Sequence, residues 1–410
     1  MTTRPHLLFI SPRFLFPLDQ GGKIRTSNIL AGLKGGAFEI TLVSPAPATA
    51  TTVYAAEIAA ICDHFESWPE PVATRIGRLA ALPGALPIPV ATDRSAEGSA
   101  VVARALAARP DVVVVDFPHA AVLLPARLDT VSVMFTHNVE VEIFERHAAV
   151  AGFPMRLLWQ DQARKMHRFE GKTLRRFDAV IAVSARDGER LRARYGLPAT
   201  ELIDTGVDLD FYPFTPPRDQ TDPVLVFSGS MDSRSNIDGV EFLLDEIWPR
   251  IVRDRPHART VIVGRNPPAS LVARAAKFGL SFRFTGFVDD VRPEIAAATM
   301  SAIPLRVGSG TRMKAFEAMA MGRPVVSTAL GVEGLDIVPS EHFLLADTAE
   351  EFARATLRLF DDPALRLRLT LAARARVEAR FSWAQVARQF EAICVKTLAD
   401  GHAATRKMAG

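Results

Sequence analysis

Cysteine is almost absent. Cys62 and Cys394 are the only two in 410 residues, so neither a disulfide framework nor a Cys-x-x-Cys motif can be built. They read as reduced thiols of a cytosolic protein, a single long-range bridge being the alternative. Long apolar runs are missing too: none approaches the ~18 residues that span a bilayer. The early apolar stretch, residues 7–10, is too short for a signal peptide. Charge of one sign is not in excess, since 49 Lys and Arg against 46 Asp and Glu leave +3. The cations are interleaved with acids and apolar residues, which does not point to nucleic acid. Aromatics make up only 8%, yet the 48% hydrophobic share excludes a disordered chain. A soluble, cytoplasmic α/β enzyme or binding protein with two or three cores of ~150 residues is expected.

What the sequence does have is a recurring alternation. Short apolar runs rich in β-branched residues fall at 7–10, 40–44, 112–116, 131–136, 179–184 and, more weakly, 201–204. A second series falls at 224–228, 260–264, 282–285, 301–305, 324–327 and 343–346, with helix-period segments between the runs. Val112, Val113, Val114 and Val115 show no polar alternation, as in strands covered by helices on both faces. Two doubly wound parallel sheets follow, with ligands expected at the carboxyl ends of their strands, in a cleft between the domains. Residues 213–223 carry Pro213, Pro216, Pro217 and Pro223 and read as a stiff connector. Residues 68–89, with five prolines, read as an irregular excursion.

The motifs sit just after strands. Gly308, Ser309, Gly310 and Thr311 make a turn into a helix over 311–321, ended by Gly322 and Pro324. A helix start with Arg312 and Lys314 is suited to a phosphate or diphosphate, and Glu317 shares the face of Lys314, where it can accept from sugar hydroxyls. The plain alternative is a strand-to-helix turn with a solvated Arg and Lys. Gly21 and Gly22 follow the first strand and can bring backbone amides to a ligand, or can serve a loop needing φ > 0. His137 follows the run 131–136, placed to face the cleft and meet a substrate hydroxyl; a buried, backbone-satisfied His is the alternative. Asp208 and Asp210 have the spacing of a metal-diphosphate Asp-x-Asp, but a turn explains them better, and no metal is expected. The basic stretch 156–177 reads either as a surface helix packing through Leu157, Leu158, Met166 and Leu174, the preferred reading, or as a helix lying on an anionic membrane.

Over nearly its whole length the pattern resembles family 4-type retaining glycosyltransferases of the GT-B fold. The resemblance is strongest over 308–328, which reads GSGTRMKAFEAMAMGRPVVST. It is supported by Gly21 and Gly22, by Thr136-His137-Asn138, by Gly206-Val207-Asp208 and by Thr285-Gly286-Phe287-Val288. Phe381-Ser382-Trp383 is similar to the family's crossover, after which the last helix, 384–400, returns to the first domain. The resemblance thus implies an N-terminal acceptor-side domain, 1–210, and a C-terminal nucleotide-sugar domain, 211–383. The stretch Phe227-Ser228-Gly229-Ser230-Met231-Asp232 is similar to bacterial exopolysaccharide sugar transferases, including those associated with PEP-CTERM systems.

The implied reaction moves a sugar from a UDP- or GDP-linked donor to a glycan or lipid-linked acceptor hydroxyl, with retained configuration and without a cofactor. The resemblance implies that Glu317 binds the ribose and that Arg312 and Lys314 hold the diphosphate. Gly22 would approach the diphosphate, His137 would contact the transferred sugar, and Phe287 and Val288 would border the base. The turns at Gly21, Gly229, Gly308, Ser309, Gly310 and Thr311 complete the implied nucleotide-binding set. Departures from the family's pattern are Ser309 in place of a glutamate, and Ser230 and Ser235 in place of Arg and Lys, with Arg234 a partial substitute. Two other readings of the same fold are a nucleotide-sugar 2-epimerase, which converts its substrate without an acceptor, and a degenerate nucleotide-sugar-binding scaffold, which those serines motivate.

Overall fold

A computed structural model describes residues 4–70, 75–217, 221–307 and 313–409. The chain divides by packing into Met1–Asp204 with Trp383–Gly410, and Thr205–Ser382.

In the first unit the strands are β1 (His6–Ile10), β2 (Glu39–Ala46), β3 (His64–Pro69), β4 (Val112–Asp116), β5 (Val131–Phe135), β6 (Ala179–Ala182) and β7 (Glu201–Leu202). They form one parallel sheet in the order β3-β2-β1-β4-β5-β6-β7. Alternate residues of β1 feed separate cores, Leu7 and Phe9 into one and Leu8 and Ile10 into the other. That is why the run shows no polar alternation.

Strand β3 was not expected. Its sequence, HFESWP, is mostly polar because it is an edge strand, and only Trp68 is fully buried. The expected irregular excursion over 68–89 is corrected as well: it contains the helices Arg75–Ala81 and Ile88–Asp93. Two of its prolines fall where a helix tolerates them, Pro87 preceding the second helix and Pro89 within its first turn.

The second unit holds β8 (Val224–Ser228), β9 (Arg259–Val263), β10 (Phe282–Gly286), β11 (Met300–Ile303), β12 (Val325–Ser327) and β13 (Leu344–Leu345). They too are parallel, in the order β10-β9-β8-β11-β12-β13. The order reverses between β1 and β4 in the first sheet and between β8 and β11 in the second. These are the switch points beside which such sheets bind ligands.

The division falls at Asp204/Thr205, earlier than the expected boundary at 210. The cause is local pairing: Val207 bridges Ser382 and donates to Phe381 O at 2.7 Å, and Leu209 and Tyr212 pack on the second unit's core. The start of the expected stiff connector is also packed down. A Cβ on Gly322 would lie 2.4 Å from Thr215 O, and Arg323 donates to that carbonyl.

The final helix, Trp383–Ala409, lies on the first unit. Val386 and Phe390 enter its core, Glu391 Oε1 accepts from the Ala37 amide at 2.6 Å, and a Cβ on Gly32 would lie 2.3 Å from Ala387 Cβ. Among the described residues no helix is long and apolar enough to cross a membrane.

Candidate functional site

In the second unit, β8 runs into Gly229 and Ser230 at the switch point, and the helix Met313–Ala320 follows β11. Gly308, Ser309, Gly310, Thr311 and Arg312 lie outside the described residues. Lys314 reaches the β8 turn: its Nζ donates to Asn236 Oδ1 at 2.7 Å and stands 4.2 Å from the centre of the Phe227 ring. Asn236 is itself aimed by donating to Ser230 O at 2.7 Å. The approach to the turn is close, for a Cβ on Gly229 would lie 2.8 Å from Asn236 Nδ2 and 3.0 Å from Lys314 Nζ and would displace those side-chain ends.

One turn along the same helix, Glu317 accepts from the Tyr212 hydroxyl. Burial pushes the Glu317 pKa up, while Tyr212 and the nearby charge of Lys314 pull it down. Phe287 stands 70% exposed just past β10, while Val288 packs on the Val226, Val261, Val263 and Ala298 cluster.

The serines at the family's cation positions are engaged locally. Ser230 Oγ donates to Asp232 at 2.8 Å, and the Ser233 and Ser235 hydroxyls lie 2.8 Å apart. Asp232 also receives Asn266 Nδ2 at 2.8 Å and Arg265 Nε at 2.7 Å, and these bonds hold its carboxyl below the usual range. Asp208 and Asp210 make a turn, since Asp208 Oδ1 accepts from the amides of Asp210 and Phe211 at 3.0 and 2.8 Å.

The first unit's switch point is closed. His137 is 5% exposed, not turned outward as expected. Its Nε2 lies 2.6 Å from Asp116 Oδ1 and its Nδ1 3.2 Å from Arg25 Nη1. A guanidinium only donates, so Nδ1 is the acceptor and Nε2 carries the proton. The ring is therefore the neutral tautomer, in keeping with burial, which pushes its pKa down. The buried-His alternative was right about exposure, but the partners are side chains.

Asp116 also accepts from Thr26 Oγ1 at 3.0 Å and Ser11 Oγ at 3.3 Å. Arg25, with its pKa lowered to about 10 by burial, supplies the compensating charge. Phe117 stacks on His137 at 3.9 Å and adopts φ 65°, a costly backbone for a bulky residue. A Cβ on Gly22 would lie 2.9 Å from the Phe117 ring, whereas nothing lies within 4 Å of one on Gly21.

The next turn is tied down from behind. Glu170, fully buried, accepts from the amides of Glu140 and Val141 at 2.8 and 3.1 Å and from Tyr195 Oη at 2.6 Å. Burial raises its pKa to about 7. Arg25, Asp116, Tyr212, Asn236 and Glu170 were not singled out from the sequence. The one available signal was Asp116, a charge closing a four-valine strand.

The helix Met155–Leu174 departs from the preferred packing in part. Met166 and Leu174 are buried, but Leu157 is 56% exposed and joins Phe153 and Met155, 84% and 47% exposed, beside exposed Arg156 and Arg164.

Comparison with known proteins settles the family. Residues 21–211 match the family model described as Glycosyltransferase Family 4, and residues 222–362 match the one described as Glycosyl transferases group 1. The chain belongs to the family 4-type glycosyltransferases. It is 26% identical over 228 residues to a GDP-mannose-dependent monoacylated alpha-(1-6)-phosphatidylinositol monomannoside mannosyltransferase of Corynebacterium glutamicum, covering 50% of this chain and 59% of that protein. It is also 26% identical over 252 residues to glycogen synthase of Mycobacterium tuberculosis, covering 59% of each. The match thus spans 59% of the length of these curated relatives.

Among solved structures, sucrose-phosphate synthase of Thermosynechococcus elongatus superposes with a TM-score of 0.65 at 20% identity, covering 96% of this chain and 100% of that one. HepE of Anabaena in complex with UDP gives 0.63 at 16%, covering 95% and 100%. With two parallel-sheet units, these neighbours show that this chain has the GT-B fold.

Proposed function

We propose that the protein is a retaining glycosyltransferase that moves a sugar from a UDP- or GDP-linked donor to a hydroxyl of a glycan or lipid-linked acceptor, in surface or exopolysaccharide synthesis. The observation that carries this reading is the pair Lys314 and Glu317 on one helix face at the second unit's switch point, with Lys314 drawn to the β8 turn by Asn236. A cation at that turn and a carboxylate one turn on suit a diphosphate and a ribose diol. As the glycosidic bond breaks, the diphosphate oxygens gain charge, so a fixed ammonium stabilises the transition state more than the ground state.

The reading neutralises the phosphates through Lys314 and Arg312 rather than through a metal; the Asp208 carboxylate, the alternative ligand, is engaged by backbone amides. A role for His137 in contacting the sugar requires Arg25 to leave Nδ1. Support for the donor class comes from HepE, solved with UDP and with UDP-glucose, and from the GDP-mannose-dependent relative.

Calorimetric titration with UDP and GDP tests the site. Lys314→Ala and Glu317→Ala are each expected to weaken the nucleotide that binds by about tenfold or more. Unchanged affinity in both would overturn the assignment. Sugar transfer to lipid-linked acceptors, with no donor conversion in their absence, distinguishes a transferase from an epimerase or a scaffold.

The acceptor reading extends to a peripheral contact with an anionic membrane, at its cytoplasmic face, supported by Phe153, Met155 and Leu157 beside Arg156 and Arg164. Co-sedimentation with anionic but not neutral vesicles is expected, and its loss in Arg156→Glu/Arg164→Glu checks the assignment.

A further inference from the structure

The turn at Asp208 also orders the residues that follow it. With Asp208 O also accepting from the Tyr212 amide at 2.9 Å, the turn leaves Phe211 45% exposed, 4.0 Å from the Arg292 guanidinium, and packs Tyr212 on the second unit's core. Its main chain is clamped: Arg292 Nη1 donates to Phe211 O at 3.0 Å. Arg374 Nη1 donates to Ala320 O, at the end of the Glu317 helix, at 2.6 Å and to Tyr212 O at 3.4 Å. Against that fixed frame the Tyr212 hydroxyl donates to the Glu317 carboxylate.

We propose that Tyr212 is a positioning residue for recognition of the ribose of a nucleoside diphosphate, its hydroxyl fixing the Glu317 carboxylate so that the carboxylate's remaining acceptor capacity serves the vicinal 2′- and 3′-hydroxyls. The inference rests on the reading of Glu317 as the ribose acceptor. A carboxylate can accept about four hydrogen bonds, so one donor from Tyr212 leaves room for a diol. An unrestrained glutamate would lose rotamer freedom on binding, and a pre-oriented one loses less. Burial alone would favour the protonated acid, a poorer acceptor, and the Tyr212 donor opposes that tendency.

The test is ribose-specific. Wild type, Tyr212→Phe, Glu317→Asp and Glu317→Ala are titrated calorimetrically with UDP and GDP and with the 2′,3′-dideoxy form of each. Wild type is expected to prefer the nucleotide it binds over its dideoxy form by about tenfold or more. Glu317→Ala abolishes that preference. Tyr212→Phe, which keeps the ring and its packing, cuts the preference to about threefold or less while dideoxy affinity stays within about twofold. Dideoxy binding also reports that the variant is folded. Glu317→Asp keeps the charge but draws it back from Tyr212, and it loses the preference as well.

If Tyr212→Phe or Glu317→Asp keeps the full preference while Glu317→Ala abolishes it, the inference fails and the ribose reading stands. Equal weakening of both nucleotide forms by Tyr212→Phe would show a structural role only and would also overturn it. A preference that survives Glu317→Ala, or a wild type that binds neither nucleotide, overturns the ribose reading and the inference with it.

Discussion

The two sheets share a topology and treat their switch points in opposite ways. In the first unit, Asp116, His137, Arg25, Thr26 and Ser11 bond to one another beneath Phe117, and His137 is 5% exposed. In the second, Lys314 and Glu317 are half-buried, held by the neutral donors and acceptors of Asn236 and Tyr212, and Phe287 stands out from the sheet. The first arrangement uses its charges internally; the second orients them through neutral partners and leaves the Glu317 carboxylate acceptor capacity. A polar residue at a strand's carboxyl end is therefore not by itself evidence of ligand contact. What its partners are decides the matter.

The sharpest way to break this comparison is Asp116→Ala. It removes one of the two carboxylates whose charge acts on buried Arg25, Asp187 being the other, and leaves His137 Nε2–H without an acceptor, so a loss of about 3–5 kcal/mol in urea denaturation is expected. Asp116→Asn, which keeps an acceptor, should lose less. Lys314→Ala, at a half-buried site, should change stability by no more than about 1 kcal/mol. If instead Asp116→Ala folds with wild-type stability and loses transfer activity, the first switch point is a working site after all.

Glycine at position 22 gives the next effect. Gly22→Ala drives a methyl into the Phe117 ring, which cannot retreat because it is stacked on His137 at 3.9 Å. A loss of about 1–3 kcal/mol, read as a lowered Tm, follows from overpacking.

Glu170 adds a pH signature to the same unit. Its pKa of about 7 lies above the ordinary carboxylate value, so between roughly pH 4.5 and 7 the native state binds more protons than the unfolded chain. Its contribution is therefore fully present at the acid end of that window and is lost as pH rises through it, by on the order of 3 kcal/mol. The groups around it are Tyr195, whose hydroxyl it accepts, Glu140, which raises its pKa further, and the amides of Glu140 and Val141. His167 lies against the Tyr195 ring. Glu170→Gln should flatten the slope of denaturation free energy against pH over this window. An unchanged slope would assign the titration elsewhere.

The legibility of these features from sequence follows their physics. Parallel strands buried on both faces announce themselves as unbroken apolar runs, as at Val112–Asp116, and the glycine turns sit where strands end. Strand β3 did not announce itself, because an edge strand with polar residues lacks the periodic signal. His137, Lys314 and Glu317 were visible as residue types in place, but their partners were not. Arg25 lies 112 residues from His137 and Asn236 lies 78 from Lys314, and no local pattern encodes such pairings. Tyr212 was hidden in a segment whose more conspicuous feature was Asp208 and Asp210.

The smallest stability effect carries the finest discrimination. Gly21 and Gly22 are adjacent, yet the structure explains only one of them from within. Gly22 is required by Phe117, whereas a Cβ on Gly21 meets nothing. Gly21 opens the helix Gly21–Leu33, where alanine is the better helix former, so Gly21→Ala should leave Tm unchanged or raise stability by up to about 1 kcal/mol. If a donor's diphosphate approaches this backbone, as the family resemblance implies, the same methyl should weaken donor binding by about tenfold with the fold intact, an overpacking cost confined to the complex. Unchanged donor affinity in Gly21→Ala would mean that only Gly22 is required, by the Phe117 and His137 stack, and that the backbone at Gly21 does not meet the donor.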